Sequence, residues 1–236
     1  MSLADLQNMI LDPELLERYA PRFIDGLLVT AKLVAISFTL GALLGLLIAL
    51  GRLSSNRLLR NFTGAYVYFF RSSPLLAQLF LLYYGLGSFK SFWQDIGLWW
   101  FFRDAWLCTL LAFTLNTAAY QAEILRGSIM SVAQGQREAC KALNLSRWTT
   151  FRKVILPQSL LVAIGPLGNK LILMIKASAI ASLVTIYDLM GVTKMVFART
   201  FDFQVYLWAA VLYLVIVEIV RRTLKFIEGR LSRHLQ

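Results

Sequence analysis

Asn116, Tyr120 and Glu123 recur at i, i+4 and i+7 within an otherwise apolar stretch, so a helix stacks them on one face. Exposing an amide, a phenol and a carboxylate to hydrocarbon is costly. Such a stripe therefore meets a neighbouring helix through hydrogen bonds or lines a water-filled path; the sequence leaves both open. Further on, Asn169 and Lys176 are seven apart and share a helical face, with Ser178 just beyond. Lys176 lies deep in an apolar segment. It has three uses: neutralising a carboxylate from outside the chain, pairing with an acidic side chain, or snorkelling to the surface. These sets suit holding and passing charge rather than making bonds. No nucleophile–base pair or metal cluster is visible, and the single histidine is His234. Cys108 sits in an apolar run and Cys140 in a polar loop, which argues against pairing. No G-x-x-x-x-G-K-(S/T) occurs, so no ATP hydrolysis by this chain, no cofactor and no metal are expected.

The elements that must position these residues are apolar and long. The chain has 236 residues, 58% hydrophobic and only 16% charged, where a soluble domain has about 25% charged. Apolar runs recur with membrane-spanning length, at about 23–50, 62–87, 105–125, 157–181 and 203–219. The fold class is an all-α integral membrane protein with five transmembrane helices. Residues 1–22 read as a short surface helix opened by Asp12-Pro13-Glu14, and they lack the basic start and cleavage site of a signal peptide. Gly41 and Gly45 have the small-xxx-small spacing of a close helix contact. Pro74 breaks or kinks the second span, and Arg71 before it marks a boundary or joins an internal network. Residues 88–104 are rich in Trp and Phe, suited to a membrane–water interface.

Net charge is +11, but it lies in loops rather than on one soluble face, so nucleic acid is not the partner. Segments 52–60, 126–157 and 221–236 hold 14 of the 24 Lys and Arg; segments 1–25, 86–104 and 189–204 hold 6. The positive-inside rule then places the amino terminus outside and the carboxy terminus inside.

Among the inner segments, Arg137–Gln158 is the longest polar, basic one. It reads as two short amphipathic helices, Glu138–Leu143 and Ser146–Ile155. Asn144 supplies a left-handed bend, Ser146 an N-cap, and the second helix stops before Pro157. This stretch resembles the EAA loop of ABC importer permeases. Glu138 and Ala139 match its first residues, Cys140 stands for the second Ala, Asn144 for the Gly, and Val154-Ile155-Leu156-Pro157 for the closing tetrapeptide. Arg71–Phe80, RSSPLLAQLF, resembles the R-G-T-P-L-x-x-Q-L segment of the polar amino-acid members. Leu115–Gly127, LNTAAYQAEILRG, resembles their N-T-x-x-Y-x-x-E-x-x-R-G. Asn169, Lys176 and Ser178 fall on a further family run, from which Ala179-Ile180 departs.

The resemblance covers roughly residues 23–230 and is strongest to permeases for histidine, lysine, arginine and ornithine and for the opines octopine and nopaline. It implies the type I ABC importer permease fold: a 1–22 periplasmic or interfacial segment, a 23–230 transmembrane domain with coupling loop 137–158, and a 231–236 cytoplasmic tail. It also implies a multi-pass protein of the bacterial inner membrane that moves a polar, basic amino acid or opine by alternating access. The implied partners are a second permease subunit, two ATPase subunits that bind ATP and Mg, a periplasmic binding protein and the bilayer. Arg137, Glu138, Ala139, Lys141, Asn144 and Arg147 become the expected ATPase-coupling residues. Asn116, Tyr120, Glu123, Asn169, Lys176 and Ser178 become the expected translocation path. Against this stand a channel or scaffold with no ATPase partner and a membrane-embedded enzyme, for which the polar stripe lacks a catalytic constellation.

Overall fold

The structure is a computed structural model that describes the backbone of residues 12–232 and the side chains of 12–230. Residues 1–11 of the expected 1–22 segment and 233–236 of the 231–236 tail lie outside those residues. The described residues form helices and connecting turns, with no strand among them. In chain order, α1 is Pro13–Arg52 and α2 is Arg57–Ser72. Next, α3 is Leu75–Phe80, extended by a π-helical turn, Leu81–Gly85, and a 3-10 turn, Leu86–Ser88. Two short pieces follow, α4 (Lys90–Asp95) and α5 (Trp99–Phe102), before α6 (Ala105–Met130) and α7 (Gln134–Ala142). Then α8 (Arg147–Thr150), a π-helical turn (Phe151–Ile155), α9 (Leu156–Ala177) and a 3-10 turn (Ser178–Val184) run on from one another. The chain closes with α10 (Leu189–Thr200) and α11 (Gln204–Ser232).

Among the described residues, three helical stretches are long and apolar enough to cross a membrane: α1, Arg147–Val184 and Gln204–Arg230 of α11. The other two expected crossings are α6 and the α2–α3 pair. The 26 residues of α6 reach about 39 Å, but the polar stripe lowers its apolar content. The α2–α3 pair is interrupted at Ser73-Pro74, as Pro74 implies.

Three boundaries differ from expectation. The amino-terminal surface helix and the first span are one helix: α1 passes through Pro21 without a break and, at 40 residues, is about 60 Å long. The helix after Ser146 does not stop before Pro157. A π-helical turn precedes the proline, the Leu156 amide bonds back to the Phe151 carbonyl, and the missing Pro157 N–H is absorbed where the i→i−4 ladder is already shifted. The fifth span continues past residue 219, so the basic residues Arg221, Arg222 and Lys225 belong to α11 itself.

The chain forms two compact units. In the unit of residues 1–36, 79–112 and 172–220, Tyr19 and Phe23 of α1 pack with Leu189, Val192 and Val196 of α10 and Val205 of α11. Asp188, fully buried, caps α10 by accepting from the Gly191 amide at 2.9 Å. Burial pushes its carboxyl up to about 6. In the other unit, of residues 37–78, 113–171 and 221–236, Ile48 and Ala49 of α1 meet Val67 of α2 and Ala118 and Ala122 of α6. The glycine spacing does what it suggests. A Cβ on Gly41 would sit 3.1 Å from Thr117, and one on Gly45 would sit 3.0 Å from the Ala118 carbonyl, so a larger residue at either place would require α6 or its side chains to give way by a few tenths of an ångström.

The bend after α7 follows the sequence reading. Asn144 has φ 53°. The Leu145 amide donates to the Cys140 carbonyl and the Asn144 amide to the Lys141 carbonyl, the two bonds of a Schellman ending. Ser146 caps α8 by accepting from the Thr149 amide at 3.1 Å. Asn144→Gly is expected to leave the unfolding temperature within about a degree, because Gly adopts positive φ without strain. Asn144→Val costs about 2 kcal/mol, and thermal unfolding of the purified subunit in detergent reads the difference.

Candidate functional site

The polar stripe has a structural cause in the broken second span. Ser73 precedes Pro74 and is held extended, φ −99° and ψ 144°, the region a following proline enforces. That break strips the last carbonyls of α2 of helical partners. Side chains replace them. Phe70 O accepts from Gln78 Nε2 at 3.0 Å and from Asn116 Nδ2 at 3.1 Å. Ser73 O accepts from Gln78 Nε2 at 3.0 Å, and Arg71 O from the Tyr120 hydroxyl at 3.4 Å. Asn116 Nδ2 also donates to Gln78 Oε1 at 3.1 Å, so α2, α3 and α6 share one buried amide pair. Gln78 is 4% exposed and Asn116 5%, which is tolerable only because both are bonded.

Two cations sit on this knot. Lys170 of α9 donates from Nζ to Asn116 Oδ1 at 3.3 Å, and its Nζ lies 4.0 Å from the Tyr120 ring centroid. The Arg71 guanidinium lies 5.3 Å from the same centroid, within cation–π range. Among the described residues, no carboxylate comes within ion-pair distance of Lys170 or Arg71. The next residue of the stripe, Glu123, feels the charge of Arg71 but makes its closest pairs elsewhere. Arg126 donates to its Oε1 from Nε at 2.9 Å and also from Nη2, and Arg52 Nε of α1 stands 3.8 Å from Oε2.

The structure therefore brings together Asn116 and Tyr120 and places Glu123 in an adjoining ion pair with Arg126, the partner within its reach in sequence. It does not gather the rest of the expected path. Asn169 is exposed on α9. Lys176 is exposed and Ser178 is buried, its hydroxyl donating to the Ile175 carbonyl at 2.8 Å; both belong to the other compact unit. Sequence reasoning missed Gln78, Arg71's partner ring and Lys170. The Gln of the R-x-x-P-L-x-x-Q-L segment was the available signal for the first; nothing in the pattern singled out Lys170 over Lys176.

The second candidate region is α7–α8. Glu138, Ala139, Lys141, Asn144 and Arg147 are all exposed, and Glu138 Oε1 accepts from Gln134 at 2.7 Å. Three apolar side chains beside them are exposed as well: Leu143 at 72%, Trp148 at 67% and Leu145 at 39%. Arg137 differs. It is half-buried and turned inward, donating from Nη2 to the Ile129 carbonyl of α6 at 2.6 Å. A polar rim around exposed Leu and Trp is the composition of a docking surface.

A family model described as the binding-protein-dependent transport system inner membrane component matches residues 41–233. The chain belongs to that family. The Nopaline transport system permease protein NocM of Agrobacterium fabrum is 37% identical over 227 residues, 96% of this chain and 94% of that one. The Histidine/lysine/arginine/ornithine transport system permease protein HisM of Escherichia coli K12 is 35% identical over 212 residues, 89% of each chain. A solved structure titled as an amino acid ABC transporter with histidines superposes with TM-score 0.82 at 33% identity, covering 91% of this chain and 96% of that one. The MetNI methionine ABC transporter superposes at 0.75 with 19% identity, which speaks to the fold alone. The protein is thus a membrane permease subunit of an ABC importer with the type I permease fold, and a transport subunit rather than an enzyme. Among the described residues, no group of three His, Cys, Asp or Glu is placed to hold a metal.

Replacing Asn116 with Leu removes one of the two donors to Phe70 O and leaves Gln78 Oε1 without its donor. It is expected to destabilise this permease by about 1 kcal/mol, the scale of interhelical hydrogen bonds in membranes. A cycle with Gln78→Leu, followed by thermal unfolding in detergent, should show the pair costing less than the sum of the two single changes.

Proposed function

We propose that this permease imports a polar amino acid, a basic one or an arginine-derived opine, through the bacterial inner membrane. Its amino terminus faces the periplasm and its carboxy terminus the cytoplasm, the orientation the Lys and Arg distribution favours. It works beside a second permease subunit, with two ATPase subunits carrying ATP and Mg and a periplasmic binding protein delivering substrate. The relatives named for nopaline and for histidine, lysine, arginine and ornithine support the substrate class. Residues 137–158 form the coupling segment of a transmembrane domain spanning 23–230.

The observation that carries the mechanism is the cationic pair on Tyr120. Lys170 and Arg71 face one ring, and the nearby Glu123 is occupied by Arg126 and Arg52. A zwitterionic solute in transit has a carboxylate to offer, and among the described residues none is in direct contact with these two cations. Asn169 and Lys176, exposed on α9, suit the wall that this subunit turns to its partner. ATP binding closes the ATPase pair, the coupling segments follow, and the helices rock from inward- to outward-facing. Only contacts that differ between the two states drive that change.

Two experiments test this reading. Pulling on the wild-type permease from mild detergent should bring down ATPase subunits, and Glu138→Arg should lose them; if neither version recruits an ATPase, a channel or scaffold takes the permease's place. In reconstituted vesicles, Lys170→Met should cut uptake at least about tenfold, the worth of one charge-assisted hydrogen bond, with assembly intact. Full uptake by Lys170→Met together with loss in Lys176→Ala would move the carboxylate contact to Lys176.

A further inference from the structure

The inward turn of Arg137 gives that residue a role other than contact with the ATPase. The last turn of α6 ends at Met130 and leaves carbonyls to be satisfied. The Ser131 amide takes Gly127 O at 2.9 Å, the Ser131 hydroxyl takes Ser128 O at 2.8 Å, and Arg137 Nη2 takes Ile129 O at 2.6 Å. Arg137 stands on the first turn of α7, so a cation from the coupling segment caps the negative end of α6. Around this bond Ile129 and Val132 pack with Ile155, and Phe151 lies against them. The segment therefore holds α6 at one end through a charged hydrogen bond. Beside it, Ile155 and Phe151, on the π-helical turn that leads into α9, pack against the same end of α6. Its outer face, Glu138, Lys141, Leu143 and Trp148, is exposed.

We propose that Arg137 is a positioning residue for coupling: it fastens the ATPase-facing segment to α6, so that a push on the outer face moves α6 and with it Asn116, Tyr120 and Glu123. The proposal rests on the permease reading above. Glu138 docks the ATPase, and Arg137 transmits its motion. Loosening the Arg137 contact then separates hydrolysis from transport without separating the subunits.

The test compares wild type, Arg137→Met, Arg137→Lys and Glu138→Arg, co-expressed with the ATPase, the second permease and the binding protein. The readouts are recovery of ATPase on the permease and ATP hydrolysed per molecule imported into vesicles. Arg137→Met should recover the ATPase as well as wild type does and keep basal hydrolysis, with ATP used per molecule imported raised about tenfold. Arg137→Lys, which keeps the cation at the end of α6, should recover part of the wild-type ratio. Loss of the ATPase from Arg137→Met, as in Glu138→Arg, would make Arg137 a docking contact and overturn the proposal; so would an unchanged ratio. If Arg137→Met does not accumulate, Arg137→Lys decides: its shorter reach must raise the ratio, and a wild-type ratio overturns the proposal. Failure of the wild-type permease to recruit any ATPase would instead sink the permease reading itself.

Discussion

A backbone carbonyl freed inside a membrane has no water to turn to, and much of this structure follows from one place where that happens. Pro74 ends α2 in mid-span. Lipid cannot satisfy the carbonyls of Phe70, Arg71 and Ser73, so the protein must bring donors to them. Gln78 comes from the far side of the break and Asn116 and Tyr120 from α6. The polar stripe on α6 is in the first instance the complement of a broken helix. The two sequence readings of that stripe, interhelical bonding and a path, are not alternatives: the bonding is present, and it fixes the amide and phenol on which Lys170 rests.

The same helix links the two candidate regions. α6 carries Asn116 and Tyr120 against the α2 break, Glu123 against Arg52 and Arg126, and at its last turn the bond from Arg137. Gly41 and Gly45 bring α1 close against it, Gly45 over the backbone of Ala118 and Ala122. A small-residue contact of this kind gains its energy from close approach of backbones rather than from large interlocking side chains. Helices held this way are closely seated along their contact. In that respect α6 is suited to carry displacement rather than absorb it.

What was legible in the sequence depended on whether the signal was local. The bend at Asn144, the cap at Ser146 and the break at Pro74 are set by one or two residues acting on their own backbone, and all three are found in the structure. The five apolar runs were equally visible, because membrane length and composition are local sums. Helix boundaries at Pro21 and Pro157 were not, since each proline is accommodated by its context, a π-helical turn in the second case. Lys170 and Lys176 show the limit most clearly. They lie six apart in one apolar stretch, and periodicity alone favoured Lys176 through its spacing from Asn169. Only the packing of α9 against α6 brings Lys170 to Tyr120. Arg137 was read with the other charges of its loop because charge in a loop implies solvent; the Ile129 carbonyl that turns it inward belongs to a different helix.

Lys170 and Arg71 are expensive residues in hydrocarbon, and the broken helix helps to keep them. The carboxyl end of α2 presents the negative pole of a helix dipole, and Arg71 sits on its last turn. Lys170 reaches that end through Asn116, whose amide bonds Phe70 O with its nitrogen and Lys170 with its oxygen. The partial negative charge is diffuse, and the Tyr120 ring adds another weak attraction. With no carboxylate in direct contact with either among the described residues, these cations would stay available to the anion of the proposed substrate. An ion pair as close as that of Glu123 with Arg126 would compete with substrate at every cycle. A translocation site must bind well enough to admit a solute and weakly enough to release it. Under the proposed function, cations held by carbonyl dipoles, one phenol ring and, for Arg71, the nearby charge of Glu123 suit both conditions, and the arrangement exists because Pro74 interrupts the helix where it does.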